Sequence, residues 1–296
     1  MYDDIRKNKI KTGLIVSLFL AMIFVIVYTI CYIRGVDTYY AVFITMIFSL
    51  LSTALTYFNC DKIVLASVGA KEASREEYQQ YNNIVDGLMV ASGLEYRPRL
   101  YVMDSMQPNA FASGRNPKKA VICVTRGLLE KLDYYELEGV IAHELGHIAN
   151  YDIRLSAVVT VMVGFIVMLS DIFTRRIFFK SSKNSKNNSA NGILMLIGFI
   201  LLILAPIFGK LMQLAISRRR EFLADATAVQ FTRNPDALIS ALKTISGDPN
   251  KLEQANQSTA HMYFASPFRK ENKKQTNLFS THPSIEARIE AIEKLK

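Results

Sequence analysis

Cysteine and histidine are scarce in this chain. Three cysteines, Cys31, Cys60 and Cys123, stand among 296 residues. They form no CxxC pair, and Cys31 lies inside a long apolar run. Neither a disulfide framework nor a thiolate metal site is implied, and a reduced cytosolic setting fits. No nucleic-acid-binding motif accompanies the net charge of +9, so no nucleic-acid partner is expected. The first apolar run is too long for a signal peptide, and no small-x-small cleavage site follows it. No internal repeat is visible.

Charge is missing from two early stretches, Gly13–Ile33 and Tyr40–Phe58. Each is close to the ~20 residues a helix needs to cross ~30 Å of hydrocarbon. The short linker RGVDTY makes them a hairpin. Two later stretches are weaker candidates. Leu155–Phe173 is apolar apart from Asp171. Ile193–Ile216 is apolar apart from Lys210, and Pro206 is expected to kink it. Arg6, Lys7, Lys9 and Lys11 precede the first run, and Arg218, Arg219 and Arg220 follow the last. Arg34 is the only basic residue in the first hairpin's loop. The positive-inside rule then places the N-terminus in the cytoplasm. The basic excess reads as membrane orientation and contact with anionic lipid.

Between these stretches the pattern is that of an α+β domain. Ala70–Ser92 is expected to be helical. RLYVMD (99–104), NAFASG (109–114) and AVICVT (120–125) read as short strands between Pro and Gly signals. Tyr134–Asn150 carries apolar residues at helical spacing. Thr174–Asn191 reads as a loop. Arg220–Phe231, Pro235–Ile245 and Pro283–Leu295 read as helices, with Pro283 suited to a first turn.

The helix over 134–150 contains HELGH (143–147). Residues four apart share one helical face, so His143 and His147 can present two imidazoles to one metal ion. Glu144 is rotated about 100° away and can flank that ion, where it can take a proton from the attacking water. Zinc with an open coordination position brings the pKa of water toward ~7. The reaction class is metal-assisted hydrolysis of an amide. A third protein ligand is needed. Residue 153 is Ile, which excludes the metzincin continuation. His261, His282 and a carboxylate remain. Glu221 is the best placed, with Asp225 one turn on to accept a hydrogen bond from a ligand imidazole. A solvated helix pairing Glu221 and Asp225 with arginines gives the same pattern.

If His147 and Glu221 meet, the segment between them crosses the membrane twice or not at all. Two crossings match the two late runs, although their basic loop would then lie outside. A hairpin that dips without crossing is the alternative. His147 is close to Leu155 and Glu221 is close to Ile216, so the metal would lie about 8–12 Å from the membrane surface.

HELGH (143–147), SRRREFLAD (217–225), PNAFASG (108–114) and THPSIEARI (281–289) together resemble the HtpX membrane zinc metalloproteases. These are gluzincins related to the CAAX prenyl proteases. The resemblance runs over nearly the whole chain. It implies one Zn2+ per chain, held by His143, His147 and Glu221, with Glu144 as catalytic base and Asp225 behind the ligands. It gives Asn150 and Asp152 a structural role. It makes Asn109, Ala110, Phe111 and Ala112 a strand beside the metal that can bind extended peptides. His282 is either a transition-state stabiliser or part of the last helix's start, and His261 reads as a surface or lid residue. The fold implied is an α+β membrane protein with about four transmembrane helices. Its mostly helical, zincin-like cytoplasmic catalytic domain carries a small β-sheet. The parts are a hairpin (1–60), a first catalytic part (61–153), a second hairpin (154–216) and a second catalytic part (217–296). The function implied is a zinc endopeptidase of the bacterial-type cytoplasmic membrane, with its N-terminus and active site cytoplasmic. Its substrates would be misfolded or damaged membrane proteins, often under stress. Two other classes compete. A binding protein with structural zinc would need a fourth ligand. A transporter would need charged spans, and these are almost uncharged.

Overall fold

The computed structural model describes residues 2–33, 35–165, 218–250, 252, 255, 259–267 and 283–296. Helices α1 (Tyr2–Ile33) and α2 (Thr38–Phe58) form the expected hairpin. Asp37 starts α2 by accepting a hydrogen bond from the Tyr39 N–H. The windows Ile10–Thr29 and Thr38–Phe58 are long and apolar enough to cross a membrane. The buried positions of α2 are Ala41, Thr45, Ser49 and Thr53, whose small side chains let α1 approach closely. The rest of α2 exposes Phe43, Ile47, Leu51 and Phe58. An apolar face of that size is stable against lipid, not water.

Helix α3 (Cys60–Ser67) leads into a four-stranded sheet of order β1-β2-β4-β3. The strands are β1 (Lys71–Glu72), β2 (Arg99–Met103), β3 (Ala110–Ser113) and β4 (Val121–Thr125). β2 and β4 are parallel, and the outer pairs are antiparallel. β3 is therefore an edge strand. The helix expected over Ala70–Ser92 is shorter: α4 spans Gln79–Ser92. The stretch before it offers no apolar face to bury, and Lys71 and Glu72 pair instead with Val102 and Tyr101. Helix α5 (Arg126–Lys131) follows β4.

Helix α6 (Tyr134–Ala149) opens with a capping box between Asp133 and Glu136. After Asn150 and Tyr151 the chain turns by 86° into α7 (Asp152–Phe165). Tyr151 takes a positive φ of 60° at this corner. Leu155, Val159 and Met162 of α7 pack on Ile15, Phe19 and Met22 of α1. The rest of the run Leu155–Phe173, the loop over 174–191 and Ile193–Ile216 lie outside the described residues.

Helices α8 (Arg218–Thr232), α9 (Pro235–Gly247) and α10 (Ile285–Glu293) complete the fold. Ser284 caps α10 by accepting from the Ala287 N–H, so Pro283 stands ahead of the cap and not in the first turn. One core joins Leu88, Ile122, Ile141 and Leu145 to Ala228, Leu238, Leu242 and Ile292. The chain before residue 166 and the chain after 217 thus bury a common apolar interior.

Candidate metal centre

The centre is built where α6 and α8 touch. A Cβ on Gly146 would lie 3.2 Å from the Thr227 Cβ and 3.3 Å from the Ala224 backbone. Glycine at this position lets the two helices approach. Across the contact, the Nε2 atoms of His143 and His147 are 3.1 Å apart. Glu221 places Oε2 3.8 Å from the first and Oε1 3.6 Å from the second. Ligands bound at ~2.0–2.1 Å in a tetrahedron are about 3.3 Å apart. The three donors fit one metal ion.

The hydrogen bonds behind the imidazoles decide which way their lone pairs face. His143 Nδ1 is 2.8 Å from Asp225 Oδ1, and His147 Nδ1 is 3.2 Å from Asp152 Oδ2. An ionised carboxylate only accepts, so each Nδ1 donates and each imidazole, once neutral, turns an Nε2 lone pair inward. Two lone pairs and a carboxylate facing one point suit a metal cation there. Each aspartate has an arginine behind it. Arg288 gives Nε and Nη2 to the two oxygens of Asp225 at 2.9 and 2.6 Å, and its Nη1 donates to the Phe264 carbonyl at 2.8 Å. Arg220 Nη1 lies 3.6 Å from Asp152 Oδ1.

Burial and charge set the protonation states. Burial pushes Asp225 up, but Arg288 and His143 hold its carboxyl below the usual carboxylate range. Burial outweighs Asp225 at His143 and lowers that imidazole to about 4. Burial also pushes His147 down, but the Asp152 hydrogen bond and the Glu221, Asp152 and Glu144 carboxylates carry it up to about 9. Glu144 is raised by burial to about 7. Its two oxygens are buried with no hydrogen bond of good geometry among the described residues, although the Ala112 backbone N–H interacts with the carboxyl and partly offsets its rise. A carboxylate left so is costly unless something in the cleft bonds to it.

Glu144 and His147 line a cleft with Ala112, Asp152, Ser156, Arg220, Glu221 and His261. His261 was expected at the surface or on a lid. It is buried, with Nε2 3.4 Å from Thr160 Oγ1. The expected peptide strand is only partly open. Thr125 N–H donates to the Asn109 carbonyl, so by alternation Ala110 and Ala112 turn their amides outward. Phe264 N–H already occupies the Ala110 carbonyl, and the Asn109 amide bonds both N–H and C=O of Ala265. Phe111 packs its ring on Tyr263, away from the cleft lining. Ala112 alone of the four lines the cleft. His282 lies outside the described residues. Arg288 had no role in the sequence reading. Its signal was a charge on the Ile285, Ile289 and Ile292 face of α10.

Residues 75–296 match the model of Peptidase family M48. The chain belongs to peptidase family M48. It is 40% identical over 288 residues to a Protease HtpX homolog of Dictyoglomus thermophilum, covering 97% of this chain and 92% of that one. It is 41% identical over 298 residues to one from Caldanaerobacter subterraneus subsp. tengcongensis, with 100% and 98% covered. A Listeria monocytogenes serotype 4a homolog is 39% identical over 305 residues, with both chains fully covered. A crystal structure of S. mikatae Ste24p shares the fold, with a TM-score of 0.51 at 19% identity, over 97% of this chain and 67% of that one. The chain is thus a metalloprotease of the HtpX type, and its apolar hairpin makes it a membrane protein.

Proposed function

We propose that the chain is a zinc endopeptidase of the cytoplasmic membrane that hydrolyses peptide bonds of misfolded or damaged membrane proteins. The observation that carries this reading is the set of three donors 3.1–3.8 Å apart beside the buried Glu144 carboxylate. His143, His147 and Glu221 hold the metal. Zinc suits imidazole and carboxylate donors, and when bound it supplies a Lewis acid for amide hydrolysis. Asp225 and Asp152 keep the Nδ1 protons in place, so both Nε2 lone pairs stay available. Glu144 takes the proton of the attacking water and returns it to the leaving amine. The outward amide of Ala112 positions an extended substrate chain beside Glu144.

The placement in the membrane follows the hairpin. Arg6, Lys7, Lys9 and Lys11 precede α1, and α2 returns the chain to the same side. That supports a cytoplasmic N-terminus and cleft. His147 and Glu221 share one site, which supports an even number of crossings between them and four spans in all. Phe165 at the end of α7 meets Phe19, midway along the α1 window, with ring centroids 5.7 Å apart. Asp152 begins the same helix roughly 20 Å away, while half the hydrocarbon is ~15 Å thick. The cleft then opens within about 5 Å of the hydrocarbon, where membrane proteins are the nearest substrates. The HtpX resemblance supports quality control and stress response as the setting.

The test is cleavage of an unstructured protein in detergent by zinc-loaded wild type and zinc-loaded Glu144→Gln. The variant is expected to keep its zinc and lose roughly 10²–10⁴-fold in rate. A variant that cuts at the wild-type rate would remove Glu144 from the base role.

A further inference from the structure

Among the described residues, other buried or half-buried arginines meet an aspartate: Arg99 meets Asp61, Arg220 meets Asp152 and Arg288 meets Asp225. Arg115 and Arg154 are different. The guanidinium carbon of Arg115 lies 4.8 Å from the centroid of the Phe58 ring. That of Arg154 lies 5.6 Å from the Tyr151 ring, and Arg154 Nε donates to the Arg115 carbonyl. Among the described residues neither guanidinium forms an ion pair with a carboxylate. Phe58 is the last residue of the α2 span and is exposed. Its contact fixes Arg115 at the height where hydrocarbon gives way to headgroups. Lys118 and Lys119 are exposed in the turn that follows Arg115.

We propose that Arg115 and Arg154 form a binding site for the phosphate of an anionic phospholipid at the membrane edge of the cleft. An arginine over an aromatic face keeps its N–H fork free for two phosphate oxygens. Aromatic rings belong at that depth, and basic groups there are drawn to anionic lipid. The site joins two walls of the cleft. Arg115 follows Ala112 on the loop after β3, and Arg154 follows Asp152 in the first turn of α7. A headgroup bound between them would brace the β3 loop against α7. The proposal rests on α2 spanning the membrane and does not depend on the metal or on catalysis.

The experiment uses the full chain in detergent and counts retained lipid by native mass spectrometry. Phosphatidylglycerol and phosphatidylcholine are the probes. Wild type is expected to retain phosphatidylglycerol in preference. Arg115→Gln with Arg154→Gln is expected to lose that retention on the order of tenfold, with phosphatidylcholine unchanged. A remote exchange, Lys294→Gln, is expected to change neither. If the double variant does not fold, Arg115→Gln alone serves, because it leaves the α7 contact to the Arg115 carbonyl intact. Equal retention of phosphatidylglycerol by wild type and variant would overturn the proposal, as would no preference in wild type. Displacement by inorganic phosphate as readily as by lipid would assign the site to a free anion instead.

Discussion

Arg288 is fully buried and satisfies both oxygens of Asp225 together with the Phe264 carbonyl. Removing it strands a buried carboxylate, which costs about 3–5 kcal/mol. Arg288→Met is therefore expected to unfold well below wild type in calorimetry, even without metal. An unchanged transition would mean that His143 alone holds Asp225. The second residue-scale prediction concerns His147. With its imidazole carried up to about 9, the metal-free protein at pH 7 keeps a proton where the metal binds. His143, lowered to about 4, does not compete. Metal uptake should release one proton, and apparent affinity should climb about tenfold per pH unit until pH nears 9. Titration calorimetry in two buffers of different ionisation enthalpy counts that proton. Asp152→Asn removes the Asp152 share of what raises His147, leaving Glu221 and Glu144, and should make the slope level off at a lower pH. The pairing of His143 and His147 was legible in the sequence because spacing four on a helix fixes a face, whereas Glu221 stood among several candidates until the family resemblance singled it out. The Asp152 hydrogen bond and the Arg288 fork were not legible, because they depend on a corner and on a helix far along the chain.

At the scale of elements, Gly146 is the limiting contact. A Cβ there meets the Ala224 backbone at 3.3 Å, and valine would add two more carbons in the same gap. Gly146→Val should push α8 from α6, cost ~1–3 kcal/mol in overpacking and separate Glu221 from the imidazoles. Zinc content after dialysis is the readout; full zinc at wild-type affinity would show that the helices have room to give. Elements with a buried period were readable in advance: α6, β2, β3, β4 and α9 begin and end within a few residues of their apolar patterns. The first part of Ala70–Ser92 misled because helix propensity without an apolar face yields to a strand partner. The partial closure of β3 by Phe264 and Ala265 was also invisible, since edge pairing by an irregular segment leaves no periodicity.

For the whole molecule, the proposed membrane placement sets how far above the membrane a peptide must rise to be cut. Arg115 rests on Phe58 at the end of α2, and Ser156 of α7 lines the cleft one turn after Asp152. A cleft within about 5 Å of the hydrocarbon is reached by one or two extended residues at ~3.3 Å each. A cleft raised 30 Å on top of a soluble domain would need about nine. Substrates carrying one susceptible sequence at increasing distance from a transmembrane anchor separate the two cases. In liposomes, cleavage is expected to be fast with a linker of only a few residues. It should then fall as longer linkers dilute the tethered chain. A rate that is negligible at short linkers and rises only near ten residues would place the cleft away from the surface, against the packing of α7 on α1.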